Sequence, residues 1–266
     1  MDKIKFAMEI AKKVNGEVKE VEKNNGIKLI GISIKNDSNI YPTIYIDQMY
    51  EDDMSIDEAA KAVLKTYEEK KTPDFGDLIW IEDFNEAKKH LRARLYNDTT
   101  YAEVYKHAPY PFDDLIIIPY IEIISGEACT KVTKNLLKHW NVSAEEVIKI
   151  AEANSSEEVE ILTMRSALMQ MGISGDLLPE EDEIQLWIAT TKDHQNGAYA
   201  IIAKLESLRK DLNEGEVIYV LPSSIHEVLF TKVGDKEEMD KMVKDVNETC
   251  LNPLDVLSDH AYKILP

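Results

Sequence analysis

Apolar residues recur along this chain with two different periods, and the two periods divide it into helical and extended stretches. Residues 1–14 place Ile4, Ala7, Met8, Ala11 and Val14 on one helical face, with Phe6 and Ile10 beside it. Asn15-Gly16 stops that helix. Strand-like runs follow at residues 18–21 and 27–34, with the hairpin signal Asn24-Asn25-Gly26 between them. Residues 40–46 give a third strand. Ser55 and Glu58 form a capping box, in which each side chain satisfies one free helix N–H. The helix opened there carries Ile56, Ala59, Ala60, Val63, Leu64 and Tyr67 at helical spacing. Lys70-Lys71 suit the negative end of its dipole, and Pro73 forbids continuation. Residues 1–71 therefore predict an α-β-β-β-α lobe.

Residues 85–94 predict a helix that leads into a strand at 95–97. Residues 115–124 form the most apolar run in the chain, and its β-branched content predicts a buried strand. Pro119 inside it cannot donate to a ladder, so a bulge or an edge is expected there. Helices are predicted over 131–140, 143–153 and 157–171. The second opens with the capping box Ser143/Glu146, stapled by Val142 and Val147. Gly172 and Gly175 break the third. A strand at 184–190 precedes a helix from Gly197 that buries Ile201, Ile202, Leu205, Leu208 and Leu212. At 217–233 two β-rich runs flank the polar cluster Pro222, Ser223, Ser224, His226 and Glu227. A helix over 235–249 turns Met239, Met242, Val243 and Val246 inward, and a short helix is expected near 254–260. No repeat of solenoid length is present. The expected fold is α+β and two-lobed, with mixed or antiparallel sheets flanked by helices. The small lobe covers 1–95. The larger covers 96–266, with one sheet built from strands beginning near Leu115, Ile184, Val217 and Ile225.

Composition narrows the function. The chain of 266 residues is 44% hydrophobic and carries 50 acids against 31 Lys and Arg, a net charge of −19. That excess disfavours nucleic acid and anionic membranes as direct partners. Residues 142–183 hold eleven acids against Lys149 and Arg165, a net of −9 in 42 residues. Such a stretch is a solvated face in the simplest reading, and in the sharper one a surface for a basic protein partner or a mimic of nucleic-acid charge. Cys129 and Cys250 make neither a disulfide framework nor a metal half-site. The first residues are amphipathic and include acids, unlike a signal peptide, and no apolar run approaches the roughly 18 residues of a membrane span. A cytoplasmic protein is expected. The oligomeric state is left open.

Ser223, Ser224, His226 and Glu227 are the parts of a nucleophilic triad. In an extended strand His226 and Glu227 point to opposite faces, so they cannot pair locally. No Gly-x-Ser-x-Gly elbow exposes a serine. The structural reading is that Pro222 ends a strand, the serines bond the turn and His226 lies at a core margin beside Val228 and Phe230. A capping box over 224–227 is the local alternative. The six histidines show no metal-ligand spacing, and no glycine-rich phosphate loop occurs, so neither metal nor cofactor is expected. Cys129 lies close to Glu127 and reads as a buried or half-buried thiol. The acidic runs 51–53 and 180–183 lack calcium-loop spacing. Met164, Met169 and Met171 read as core, with an adaptable partner surface as the alternative.

The stretch Tyr219-Val-Leu-Pro-Ser-Ser-Ile-His-Glu-Val-Leu resembles a signature of an uncharacterised family of bacterial proteins, a domain of unknown function common in low-GC Gram-positive gut bacteria. Residues 135–141, 196–198 and 257–259 are similar to it as well. The resemblance implies a cytoplasmic bacterial protein and carries no reaction. The sequence thus favours a protein-binding module with an acidic surface over 142–183. The alternatives are a hydrolase, with His226 as base and Ser223 or Ser224 as nucleophile, and an inhibitor that mimics nucleic-acid charge.

Overall fold

The structure, a computed structural model, describes residues 1–34, 42–69, 78–97, 103–124, 128–180, 185–222 and 224–266. Ile40, Lys70, Lys71, Pro73, Glu127, Ser223 and residues 181–184 lie outside the described residues. The chain divides into two compact units, Met1–Leu78 and Ile79–Pro266.

In the first unit, Asp2 caps α1 (Lys3–Val14) by accepting the Lys5 N–H, and Asn15 ends it in the left-handed conformation. The buried stripe is Phe6, Ala7, Ile10, Ala11 and Val14, while Ile4 and Met8 are exposed. The helix is therefore rotated from the expected face toward its bulkier side chains. Strands β1 (Glu17–Glu22), β2 (Lys28–Ser33) and β3 (Thr43–Tyr45) form an antiparallel meander. A short helix α2 (Asp47–Glu51), which the sequence reading does not foresee, precedes α3 (Ile56–Glu69). The α3 capping box forms as expected. Ser55 Oγ accepts the Glu58 N–H, and Glu58 Oε2 accepts the Ser55 N–H. Ile32 and Ile44 from the sheet, with Ile46 just beyond β3, close a core with α1 and α3.

The second unit holds two antiparallel sheets. A short helix α4 (Phe84–Ala87) leads into β4 (Leu91–Asn97), so the helix expected over 85–94 is mostly strand. Leu91, Ala93 and Leu95 are buried and alternate with Arg92 and Arg94, and β4 pairs along its whole length with β6. That pairing joins residues 79–95 to the second unit. After β5 (Lys106–His107) comes β6 (Leu115–Ile124), the buried strand predicted from its composition, followed by β7 (Ala128–Lys131). The order is β4-β6-β5, with β7 also on β6. The Pro119 carbonyl accepts the Val132 N–H, so its missing donor faces the side where β5 has ended at Ile117 and β7 begins at Tyr120. No ladder bond is lost there. The bulge sits further on, between Glu122 and Ile124.

Helices α5 (Lys134–Trp140) and α6 (Ala144–Ser156) follow, capped by Thr133 and Ser143. The helix expected over 157–171 is then two elements, β8 (Val159–Thr163) and α7 (Met164–Gln170). Val159, Ile161 and Thr163 are β-branched at period two, and β9 (Leu186–Thr191) takes that stretch as a neighbour. After α8 (Ala200–Lys210), the stretch 217–233 folds as β10 (Ile218–Leu221) and β11 (Val228–Thr231), an antiparallel pair. Helix α9 (Lys236–Thr249) buries Met239 and Val243 but leaves Met242 exposed. No helix forms over 254–260. Asn252 turns the chain there by taking the Leu254 and Asp255 N–H groups, and β12 (Tyr262–Ile264) ends it. The sheet order is β12-β10-β11-β9-β8. The strand at Leu115 thus belongs to a different sheet from the other three. A single apolar cluster joins the two sheets through Ile117, Ile121, Ala189, Ile201, Val220 and Phe230. Among the described residues no helix is long and apolar enough to cross a membrane.

Asp240 ties α9 to β12. It takes the Lys236 ammonium at 2.6 and 2.7 Å and the Ala261 N–H at 2.8 Å. Burial alone would push its carboxyl up. Lys236, the Ala261 N–H and His260 outweigh that and hold it below the usual carboxylate range. A folded-state value below the unfolded one adds stability above the unfolded pKa, and that stability is lost as pH falls through the folded one. We predict that Asp240→Asn lowers the denaturant midpoint at neutral pH. The gap to wild type should close as pH falls below about 4. A gap that stays constant over a midpoint-versus-pH series would refute the ionic anchor.

Candidate functional site

The polar cluster of the 217–233 hairpin is built mainly from main-chain bonds. Ser224 is buried, its Oγ accepts the His226 N–H at 3.0 Å, and its own N–H reaches the Glu227 carbonyl. The Ile225 N–H bonds the Asp255 carbonyl, and the Ala198 N–H bonds the Ile225 carbonyl. Two separate stretches, 196–198 and the chain at Asp255, therefore converge on the turn 224–227. Gly197 is the tightest point. Its N–H donates to the His226 carbonyl at 2.9 Å. A Cβ placed there would lie 2.6 Å from the Thr191 nitrogen and 2.7 Å from the His226 carbonyl oxygen.

The His226 ring is half-buried between two partners. Nδ1 accepts the Asn196 N–H at 3.1 Å, so the neutral ring carries its proton on Nε2. Nε2 lies 3.6 Å from Asp255 Oδ1, an ion-pair distance rather than a hydrogen bond. Asp255 is a carboxylate that the hydrolase reading needs near this ring. The Ser224 hydroxyl is spent on the main chain and not on the ring. Ser223 lies outside the described residues. Glu227 points elsewhere, into a cleft on another side of the turn. His226 and Glu227 lie in the bend before β11 rather than in an extended strand, so their divergence is set by the turn and not by strand alternation.

That cleft has a volume of about 490 Å³. Its floor is a row of side chains across three strands, Leu162 on β8, Ile188 on β9 and Leu229 on β11, which the ladders place opposite one another. Its wall is the face of α7 that carries Met164, Ala167 and Leu168, continued by Met171. These recur at i, i+3, i+4 and i+7, one helical stripe. Gln170, His194 and Glu227 supply the polar lining. His194 reaches its place because the loop after β9 is tightly wound, with Thr191 Oγ1 and the Gln195 N–H both on Asp193 Oδ1 and His194 itself at a φ of 53°. Leu229 also packs on the cluster of Leu221, Met239, Val243 and Ala261, so α9 begins where the floor ends.

The methionines expected in the core are largely outside it. Met169 is 50% and Met171 79% exposed, and Ile161, Ile173 and Leu177 are exposed as well. Arg165, the one arginine of this segment, is spent on the carbonyls of Gly175, Leu178 and Pro179, which fix the loop after α7. The acids of 142–183 are partly engaged too, Glu152 with Lys106 and Glu158 with Arg92. Cys129 is exposed, not buried, and the Arg94 guanidinium lies 3.0 Å from its sulfur while resting on the Tyr120 ring. Among the described residues no group of three or more His, Cys, Asp or Glu is placed to hold a metal ion. The cleft went unforeseen because its residues come from four elements, two of them read as one helix. The i, i+4, i+7 spacing of Met164, Leu168 and Met171 was the available signal.

Fold and site together describe an α+β protein with an apolar, methionine-walled cleft. Over residues 2–264 the chain matches the family described as Family of unknown function (DUF5688), and it belongs to that family. No curated protein and no solved structure matches it.

The passage at Gly197 generates a direct test. Gly197→Ala should destabilise the protein by about 2 kcal/mol or more, because the atoms it meets are mainly main chain and cannot swing aside. Chemical unfolding measures this. A loss under about 0.5 kcal/mol would show that these stretches are held together by something else.

Proposed function

We propose that this chain is a protein-binding module that acts by binding rather than by catalysis, with the α7 cleft as its working surface. The observation that carries the reading is an apolar cleft walled by methionines that belong to the acidic stretch 142–183. Methionine is unbranched and polarisable, and it suits surfaces that adapt to a partner. Soluble proteins rarely leave such a patch exposed without a use for it. The partner that fits is a basic polypeptide segment. Two or three of its apolar side chains fill the cleft, and its Lys or Arg residues meet Glu160, Asp176 and Glu180. The charge excess steers encounter and sets salt dependence, while the cleft supplies affinity.

Short fluorescent peptides of Lys and Leu, in helical and in alternating patterns, test this by anisotropy, with Glu/Leu versions as controls. At least one Lys/Leu peptide should bind, more weakly as salt rises, and the Glu/Leu versions should not. The double variant Leu168→Gln/Met171→Gln should bind about tenfold more weakly, roughly 1.4 kcal/mol. Unchanged binding in that variant, or equal binding of the acidic peptides, would overturn the reading.

A further inference from the structure

We infer that the partner segment binds as an added strand along the free edge of β8, with three successive residues in the order basic, apolar, apolar against Glu160, Ile161 and Leu162. The inference rests on the cleft reading above and specifies how the partner enters. β8 is the last strand of the five-stranded sheet, with β9 on one side only. The Glu158 carbonyl accepts the Lys192 N–H, which sets the phase of the ladder. Glu158, Glu160 and Leu162 turn their main-chain groups toward β9. Val159, Ile161 and Thr163 turn theirs outward. No hydrogen bond to the outward N–H groups is made among the described residues. The Thr163 carbonyl is taken by the first turn of α7, and the remaining outward groups, the three N–H donors and the Val159 and Ile161 carbonyls, are a template for another strand.

The other edges are protected. β12 is three residues long and includes Lys263, β1 carries Lys19 among glutamates, and β7 includes Lys131. β3 and β5 are three and two residues long. On β4 the Ala93 N–H is taken by Ser155 Oγ and the Leu91 carbonyl by Asn154. β8 has five residues in unbroken register, without lysine, proline or bulge, and Ile161 at its centre is 37% exposed. Its one charged side chain is Glu160.

Alternation places Glu160 on the same sheet face as Leu162, and Leu162 is the first residue of the cleft floor. A strand added about 4.8 Å outside β8 extends the row Leu162–Ile188–Leu229 by one side chain. An apolar residue there continues the floor beside α7. The residue two places along lies against Glu160 and favours Lys or Arg. The residue between them points to the other face, beside Ile161. Charge complementarity selects a basic segment over a second copy of this chain, because a copy would bring a net charge of −19 against the same charge.

The test uses a fluorescent peptide of repeated Lys-Val-Val triplets and the same peptide with N-methylated backbone amides, which keeps charge and side chains but removes the donors. The parent should bind and the methylated form should lose about tenfold or more. On the protein side, Ile161→Pro removes an outward N–H and leaves the Glu160 and Leu162 bonds to β9 in place, so binding should fall while the melting temperature holds. Should that variant not fold, the methylated peptide decides the matter on the wild-type protein. Equal binding of the two peptides overturns the added strand and leaves the cleft reading to the Leu168/Met171 variant. Helical-pattern binding that needs Leu168 and Met171 but ignores Ile161→Pro does the same. Failure of every basic peptide to bind the wild type overturns both.

Discussion

Main chain passes main chain at Gly197 without room for a Cβ, and the second unit is arranged around that passage. The glycine N–H meets the His226 carbonyl, the Thr190 hydroxyl donates to the same oxygen, and the Ala198 N–H takes the next carbonyl back. Two parts of the chain distant in sequence, 190–198 and 225–226, are thereby held at main-chain contact. The end of β9, the start of α8 and the turn between β10 and β11 lose their independence together. His226 belongs to this framework through the Asn196 N–H on its ring. Because that turn is rigid, Glu227 and His194 are held at the polar end of a cleft whose other walls are apolar.

The five-stranded sheet has two faces with different fates. One is sealed by the shared core through Trp187, Ala189, Val228 and Phe230. The other is covered at one end by α9 and at the other by α7, and the cleft is what the two helices leave open. α7 is a seven-residue helix, too short to cover three strands. Excess charge works in the same direction. A polypeptide with far more acids than bases repels its own copies and attracts basic chains, so an unshielded apolar surface is less of a hazard here than on a neutral protein.

Most elements were legible where one period dominated over a full element. The α1 and α9 helices, the Ser55/Glu58 capping box, the Ser143 cap, the 217–233 hairpin and the strand at 115–124 follow from local pattern. Reading failed where tertiary pairing overrode it. Residues 91–94 carry helix-favouring Leu, Ala and Arg, yet a strand forms because β6 offers a complete ladder. Val159 to Thr163 were absorbed into a helical reading although β-branched residues alternate there. Assignment of strands to sheets was beyond local pattern altogether, since nothing in residues 115–124 states which neighbours they take. The Ser, His and Glu of the hairpin were visible at once. Their partners Asn196 and Asp255 were not, because each comes from a loop brought in by the fold. The exposure of Met169 and Met171 was likewise invisible, since apolar residues on a short helix give the same pattern whether or not anything covers them.

Pro119 has a consequence beyond the ladder it interrupts. The run 115–124 is long, apolar and rich in isoleucine, the composition of a segment that stacks into fibrils when exposed. In the folded sheet the proline falls at the gap between β5 and β7 and costs nothing. In a chain still on its way to the native state, the same residue denies a continuous hydrogen-bonding edge to any neighbouring chain on that side. The most dangerous stretch of the sequence thus carries its own gatekeeper, placed at a position where the finished structure has no use for the missing donor.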